Sequence, residues 1–265
     1  MRDERELVEL ANENFVASFA KIAEHCEGGE HRRFGGVVAH VTGVPISLFN
    51  GCVVVEPGAA NELDEALSWV ETYDVPRRVF VLEGLEGELG SVTAGHGLER
   101  EAVPYPGMVL KPIPELPTPA PGVVVDQAEP DEFHAVFRAF GRNQELAAKL
   151  FSASFLDDPD VQAFVGRLDG RAVGYALAIS SERASGVYAV GTLPQARRAG
   201  VGTASTWIAV DHGRRAGYDC AILQSSEMAV SMYEAMGFRT VVRYAVFSEP
   251  VTPIGQETPV PPSPQ

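Results

Sequence analysis

The chain has 265 residues, of which 45% are hydrophobic and 22% are charged, so it has the composition of a globular protein and the length of one large or two small domains. Its formal net charge of −15 argues against a non-specific nucleic-acid surface, because phosphate binding requires a positive face. The same negative field favours the approach of amines and other cations.

Three widely spaced cysteines without a CxxC pattern favour buried thiols in a reducing compartment. The charged N-terminus does not resemble a signal peptide, and no apolar run reaches the length of a membrane span. The histidines show no metal-ligand spacing with cysteines or carboxylates. We therefore expect a cytoplasmic protein with no metal, no membrane contact and no nucleic-acid partner.

Helical and strand-like patterns alternate in the first 110 residues. Apolar residues at helical spacing predict one helix over 4–25 and another over 61–73. Residues 36–55 are rich in β-forming residues, and Val79–Leu82 is a short strand of the buried type. We expect these elements to form a first domain over residues 1–110.

Proline marks the boundary that follows. Seven prolines lie between Pro104 and Pro121, and proline removes a backbone donor and favours extended chain. The later part of this stretch, residues 111–121, is predicted to be a linker to a second domain over 122–249. Residues 250–265 are again rich in proline and almost without large apolar residues, which predicts a disordered tail.

The second half begins with a predicted strand at 122–125, which is followed by helices near 130–140 and 143–155. Asp169-Gly170 stands between two β-prone runs, and this dipeptide is a strong hairpin signal. The remaining predicted elements are strand 186–192, a glycine-containing loop, helix 200–216, strand 220–223, helix 229–236 and strand 238–247.

The loop Arg197-Arg198-Ala199-Gly200-Val201-Gly202 has the parts of an anion cradle. Glycine lets the backbone approach a phosphate closely, and the first N–H groups of the following helix have no intrahelical partners. Arginines add charge-assisted hydrogen bonds to phosphate oxygens. They could also be a solvated pair, although cations at a helix N-terminus are unfavourable without a bound anion. The sequence therefore predicts a pyrophosphate site here.

The two halves repeat one order of elements. Pairing Gly97 with Gly237 gives an offset of 237 − 97 = 140, which brings Val79–Leu82 within one residue of the later buried strand. At this offset the arginine loop faces Pro57–Glu62, which has no arginine and carries a carboxylate. Because a carboxylate repels a polyphosphate, we expect no nucleotide site in the first half.

Residues 122–247 resemble the GNAT superfamily of acyl-CoA-dependent N-acyltransferases. Arg197–Gly202 fits the Q/R-x-x-G-x-G/A loop of that family, and Thr192-Leu193-Pro194 precedes it. The second family motif is similar to Leu223-Gln224-Ser225-Ser226 with the downstream residues Ala229, Tyr233 and Gly237-Phe238. The resemblance implies a tandem of two GNAT-like domains of mixed α/β fold. Each would have a mostly antiparallel mixed sheet, a splayed central strand and flanking helices, and the first would be degenerate.

The resemblance also implies roles for individual residues. The family binds the pyrophosphate of CoA on backbone N–H groups of the loop and runs pantetheine along the splayed strand. A main-chain N–H near Val190 would polarise the acetyl carbonyl, and Ser226 stands where the family often has asparagine. The implied CoA-binding residues are Val190, Gly191, Thr192, Arg197, Arg198, Ala199, Gly200, Val201, Gly202, Thr203, Ser226 and Tyr233.

The implied catalytic acid is Tyr233, a phenol that could protonate the leaving CoA thiolate. Without the surrounding motif, the position of Tyr233 on an apolar helix face favours a core tyrosine with a satisfied hydroxyl. Strand 186–192 has no carboxylate to serve as general base. The nearest candidate is Glu182 in the preceding turn, and ordered water is the alternative.

The resulting hypothesis is an N-acetyltransferase that moves an acetyl group from acetyl-CoA to a primary amine by direct attack in a ternary complex. The acceptor would be a small molecule or a peptide, and the chain a monomer or homodimer. One alternative is a non-catalytic acyl-CoA sensor or scaffold, which the missing base favours. Another is a tandem-GNAT thiol-conjugate synthase.

Overall fold

The computed structural model describes residues 2–141 and 144–250. The first half contains helices α1 (Arg2–His25), α2 (Ala60–Glu71) and α3 (Glu86–Gly95), and strands β1 (Glu30–Phe34), β2 (Val37–Val41), β3 (Asn50–Val54), β4 (Arg78–Leu82), β5 (Glu99–Arg100) and β6 (Tyr105–Leu110). The second half contains helices α4 (Pro130–Ala139), α5 (Gln144–Leu150), α6 (Ala153–Leu156), α7 (Val201–Arg215) and α8 (Val230–Ala235), and strands β7 (Val123–Gln127), β8 (Val161–Leu168), β9 (Arg171–Ser180), β10 (Ser185–Thr192), β11 (Ala221–Gln224) and β12 (Arg239–Ser248).

Local sequence signals account for most of these elements. The predicted hairpin is confirmed, since Asp169 and Gly170 both have positive φ, 49° and 78°, and join β8 to β9 in a tight turn. The predicted helix at 143–155 is divided into α5 and α6. The division has a local cause, because Ser152 caps the second helix by accepting a hydrogen bond from the Phe155 N–H.

All strands of the described chain join one twelve-stranded sheet, in the order β1-β2-β3-β4-β12-β6-β11-β10-β9-β8-β7, with β5 paired to β12. The mixed α/β class and the mostly antiparallel pairing are confirmed. Between the halves, the last strands are exchanged: β6 lies between β11 and β12, and β12 lies between β4 and β6. The predicted linker at 111–121 has no helix or strand, yet the sheet is continuous around it.

Helix α1 packs over the junction where the halves meet. Its Phe15 belongs to a core cluster that also contains Phe80 of the first half and Ile222 of the second. The buried Tyr244 hydroxyl donates to Asn12 Oδ1 at 2.7 Å, so β12 is also hydrogen-bonded to α1. None of the described helices, α1 included, is long and apolar enough to cross a membrane. The remainder of the predicted tail, residues 251–265, lies outside the described residues.

The parallel strand pairs of the two halves differ. Strands β3 and β4 pair in register at four positions, from Gly51–Arg78 to Val54–Val81. Strands β10 and β11 pair at Ser185–Ala221 and Gly186–Ile222 and then separate. The second half therefore has an opening in the sheet where the first half is hydrogen-bonded throughout.

The exchanged strands predict a stability effect at Gly107 of β6. A Cβ atom there would lie 2.5 Å from Val242 Cγ1 and 3.2 Å from the Tyr244 ring, so we expect Gly107→Ala to lower the free energy of unfolding in urea by about 1–3 kcal/mol. The matched control is Gly90→Ala in α3, where nothing lies within 4 Å and alanine should add about 0.5–1 kcal/mol. Equal effects of both changes would contradict the tight β6–β12 contact.

Candidate active site

A cavity of ≈ 320 Å³ lies where β10 and β11 separate. Val187, Ala189 and Val190 of β10 form one side of it, and Ala229 and Tyr233 lie across the gap. Leu177 and Ile179 extend it to the sheet face that carries α4. The first half supplies part of the wall with the α1 residues Phe15, Ser18 and Phe19. The cavity thus passes through the sheet and is lined by both halves.

A bulge in β10 shapes the wall of the gap. The pairing with β9 shifts between Tyr188 and Gly191, and Ala189 adopts a positive φ of 49°, which is uncommon for a residue with a side chain. Ala189 and Val190 consequently have no register partner on β9. The bulge therefore exposes main-chain groups to the cavity at the place where the sequence predicts an N–H donor.

The predicted pyrophosphate site, the anion cradle at the start of α7, is a helix N-terminus without a side-chain cap. Gly200 is its N-cap residue, with a left-handed φ of 85°. At Gly202, a Cβ atom would lie 3.2 Å from Thr192 Oγ1 and 3.9 Å from Met232 Sδ. A side chain at this position would therefore crowd the Thr192 hydroxyl at the end of β10. The first N–H groups of α7 have no side-chain cap and are free to bind an anion.

The two predicted arginines of the cradle are exposed. Arg198 has a positive φ of 67°, and Arg197 Nε donates to the Thr192 carbonyl at 3.3 Å. The Arg197 side chain thus ties the loop to the end of β10, and the Arg198 side chain extends towards solvent. Both cations lie beside the uncapped helix start, where a bound anion would offset their unfavourable interaction with the helix dipole.

Tyr233 lies on α8 at the edge of the cavity and is 6% exposed. Its ring packs edge-on against Phe238, with centroids 5.9 Å apart. Burial raises the pKa of Tyr233 to about 12, and the Thr206 hydroxyl opposes this shift. The phenol therefore stays protonated across the physiological range and can serve as a hydrogen-bond donor. Ser226, the other predicted residue of this motif, also lines the cavity.

The structure does not bring Glu182 into the cavity. This carboxylate is exposed in the turn between β9 and β10, three residues before the first residue of β10. The part of β10 that lines the cavity, residues 187–190, lies five to eight residues further along the chain, and Glu182 is not among the lining residues. No carboxylate is present among the described residues that line the cavity. The described chain also contains no group of three His, Cys, Asp or Glu side chains placed to hold a metal ion.

Sequence reasoning missed a polar group beneath the cavity. The Tyr188 hydroxyl donates to Asn14 Oδ1 at 2.7 Å, and burial raises the pKa of this phenol. Asn14 Nδ2 in turn lies within hydrogen-bond distance of Ile179 O, Ser181 Oγ and Ala184 O. Helix α1 is thereby joined to the β9–β10 turn. The sequence does contain a signal, because Asn14 is a polar residue on the apolar face of a helix.

Gln224, the last residue of β11, is a second residue that sequence reasoning did not single out for function. It lines the cavity, and both its Oε1 and Nε2 are buried without a hydrogen-bond partner in the described chain. Its register partner on β6 is Gly107, which has no side chain to reach it. In the sequence, Gln224 lies within the Leu223–Ser226 motif and ends an apolar strand, but the pattern assigns it no role of its own.

Comparison with known proteins identifies the family. Residues 126–238 match the sequence model of the acetyltransferase (GNAT) family. The match covers less than half of the chain and assigns this segment of the second half to the GNAT family. Acyl transfer is the chemistry of that family. No curated protein matches this chain in sequence.

Solved structures confirm the GNAT fold over most of the chain. A GCN5-related N-acetyltransferase from Kribbella flavida is 21% identical, with a TM-score of 0.66 over 92% of this chain and 96% of that one. A tandem GNAT protein from the clavulanic acid biosynthesis pathway is 16% identical, with a TM-score of 0.56 over 80% and 77%. A GCN5-related N-acetyltransferase from Sphaerobacter thermophilus is 17% identical, with a TM-score of 0.57 over 80% and 76%. At these identities the similarity establishes the fold.

A buried histidine behind the cavity wall predicts acid sensitivity. His40 stacks on Phe19 with ring centroids 4.2 Å apart, and burial lowers its pKa from 6.5 to about 3. The unfolded chain therefore takes up a proton between these values that the folded chain does not. The stabilisation from neutral His40 is present above pH 6.5 and is lost as the pH falls towards 3.

We expect the free energy of unfolding to lose about 2 kcal/mol between pH 6.5 and pH 5 on account of His40, at about 1.4 kcal/mol per pH unit. The His40→Asn variant should lack this contribution. Urea unfolding of both proteins at pH 7.5 and pH 5 measures the difference. The same pH dependence in both would show that His40 is not the group responsible.

Proposed function

We propose that this chain is an N-acetyltransferase that moves an acetyl group from acetyl-CoA to a primary amine by direct attack in a ternary complex. The proposal is supported by a continuous path from the proposed pyrophosphate site to the proposed catalytic acid. The uncapped start of α7 lies at the end of β10, β10 separates from β11 after two paired residues, and the gap leads to Tyr233.

The residues of the second half fit CoA. The first-turn N–H groups of α7 would hold the pyrophosphate, and Gly202 leaves the room that a side chain would fill. Unpaired main-chain groups of the bulge would bond to pantetheine and to the carbonyl of the acyl group. The first half offers neither feature, because β3 and β4 are paired along their length and Glu62 lies in the first turn of α2. One CoA site per chain follows from this difference.

When bound, acetyl-CoA supplies an activated thioester. The Val190 N–H would donate to the carbonyl oxygen and stabilise the negative charge that develops there. The Tyr233 phenol would donate a proton to the departing thiolate sulfur. The amine nitrogen forms the new C–N bond as the C–S bond breaks, and its surplus proton passes to water. Water takes this role because the described lining contains no carboxylate base.

Titration of the wild-type chain with acetyl-CoA should give a stoichiometry of one. Gly202→Val should weaken binding by about tenfold, because a branched side chain would push Thr192 and the end of β10 away from the first turn of α7, where the pyrophosphate is proposed to bind. The control is Gly87→Val in α3, where no atom lies within 4 Å and affinity should be unchanged. Two equal sites, or equal effects of the two variants, would contradict the proposed cradle.

Replacing the proposed acid gives the test of catalysis. Tyr233→Phe should reduce kcat for thiol release by about 10²- to 10⁴-fold, because the donor to the thiolate is removed, while the acetyl-CoA affinity stays within about twofold. Tyr218→Phe, outside the cavity, is the matched control. Full activity of the Tyr233→Phe variant would show that Tyr233 is a core residue and not the catalytic acid. Binding of acetyl-CoA without thiol release for any amine would favour a sensor.

A further inference from the structure

We infer that the acceptor is an apolar, weakly basic amine that enters the cavity uncharged and hydrogen-bonds to the Gln224 amide. This inference rests on the proposed function and names the class of substrate. The acceptor would occupy the part of the cavity that lies towards α1, away from the CoA cradle. The described side chains there include Phe15, Phe19, Phe49, Phe151 and Tyr105.

The walls of this part of the cavity offer no charge partner. None of the described residues that line it is Asp, Glu, Lys or Arg. Moving an ammonium group into such surroundings without a counter-charge costs several kcal/mol, and the group loses its proton instead. The net charge of −15 attracts cations to the outer surface but puts no carboxylate in the cavity. Polycationic amines are therefore excluded, and apolar amines are favoured.

The missing base leads to the same class of acceptor. An alkylamine with an ammonium pKa near 10 is almost wholly protonated at neutral pH and needs a group to remove its proton. An aromatic amine is already neutral and can attack without that step. The lone pair of the neutral nitrogen forms the C–N bond as the C–S bond breaks. The proton then leaves the nitrogen for water, and the thiolate sulfur receives a proton through Tyr233.

Gln224 indicates that the acceptor also carries a hydrogen-bonding group. Its Oε1 and Nε2 are buried and without partners in the described chain, and a buried unpaired polar group costs about 1–3 kcal/mol. The Tyr188 hydroxyl lies close enough to the Gln224 amide to interact with it, but it donates to Asn14 Oδ1 and makes no well-formed hydrogen bond with Gln224. The Ser18 hydroxyl donates to the Phe15 carbonyl at 2.8 Å. The Gln224 amide is therefore available to a ligand with one acceptor and one donor, such as a carboxamide or a hydroxyl group.

A long acyl chain on CoA is a weaker match for the same space. A hydrocarbon tail would fill the aromatic walls, but it has no donor or acceptor and would leave both amide atoms of Gln224 unpaired. A site with buried polar groups discriminates strongly against ligands that cannot form hydrogen bonds with them. An aromatic amine that carries a carboxamide group is therefore favoured over a long acyl tail. The acceptor class is therefore an aromatic amine with a neutral hydrogen-bonding substituent.

The test uses the full chain with CoA bound and three probes: 4-aminobenzamide, aniline and spermidine. We expect 4-aminobenzamide to bind in calorimetry about 10-fold more tightly than aniline, which lacks the amide. With acetyl-CoA present, it should release thiol with a kcat/KM at least about 100-fold above that of spermidine. This comparison needs no variant, so it does not depend on any substitution being tolerated.

Variants at Gln224 then assign the effect to this side chain. Gln224→Met keeps the length and removes the amide, so it should abolish the preference for 4-aminobenzamide over aniline. Gln224→Glu places a carboxylate in the cavity and should move the preference towards spermidine by about 10-fold or more. Gln162→Met on β8, outside the cavity, is the matched control and should behave as wild type. Melting temperatures and CoA affinity check that each variant is folded.

The outcomes separate the two proposals. Binding of 4-aminobenzamide without thiol release would support the acceptor class and contradict acetyl transfer. Thiol release with a preference for spermidine would support acetyl transfer and overturn the acceptor class. Failure of 4-aminobenzamide to bind would also overturn it. The acceptor class would also be overturned if hexanoyl-CoA bound more tightly than acetyl-CoA and displaced 4-aminobenzamide, because an acyl tail would then occupy the cavity.

Discussion

The early separation of β10 from β11 is the feature on which the site depends. Two parallel strands normally continue to pair until one of them ends, but here the pairing stops after Gly186–Ile222. The backbone groups beyond that point need other partners, because a buried N–H or C=O group without a hydrogen bond is costly. An extended ligand such as pantetheine can provide them. The same opening connects the α7 cradle on one side of the sheet with the aromatic cavity on the other.

The exchange of β6 and β12 stabilises the strands beside this opening. A gap inside a sheet removes hydrogen bonds, and the neighbouring strands must be held by something else. Here β11 is held on its far side by β6, which comes from the other half of the chain. Helix α1 packs over the same junction through Phe15 and is hydrogen-bonded to the β9–β10 turn through Asn14. The first half is thus a structural part of the site in the second half.

The two halves show how one fold loses a ligand site. Both have a parallel strand pair followed by a helix, but β3 and β4 remain paired at four positions. The helix start in the first half carries Glu62, and the Glu88 carboxylate lies 3.5 Å from the Gly58 N–H. Paired strands leave no track for pantetheine, and carboxylates repel a pyrophosphate. The first half instead contributes apolar walls to its partner's cavity.

The local features can be predicted from the sequence: the hairpin at Asp169-Gly170, the glycine loop before α7 and the placement of Tyr233 on a short helix. Each depends on residues within a few positions of one another, so the pattern is visible along the chain. Three further features of the site follow only from how the chain folds. Glu182 lies outside the cavity, Asn14 lies beneath it, and the Gln224 amide is inside it without a well-formed hydrogen bond. These outcomes depend on strand exchange and on contacts between residues more than a hundred positions apart, which no local periodicity records.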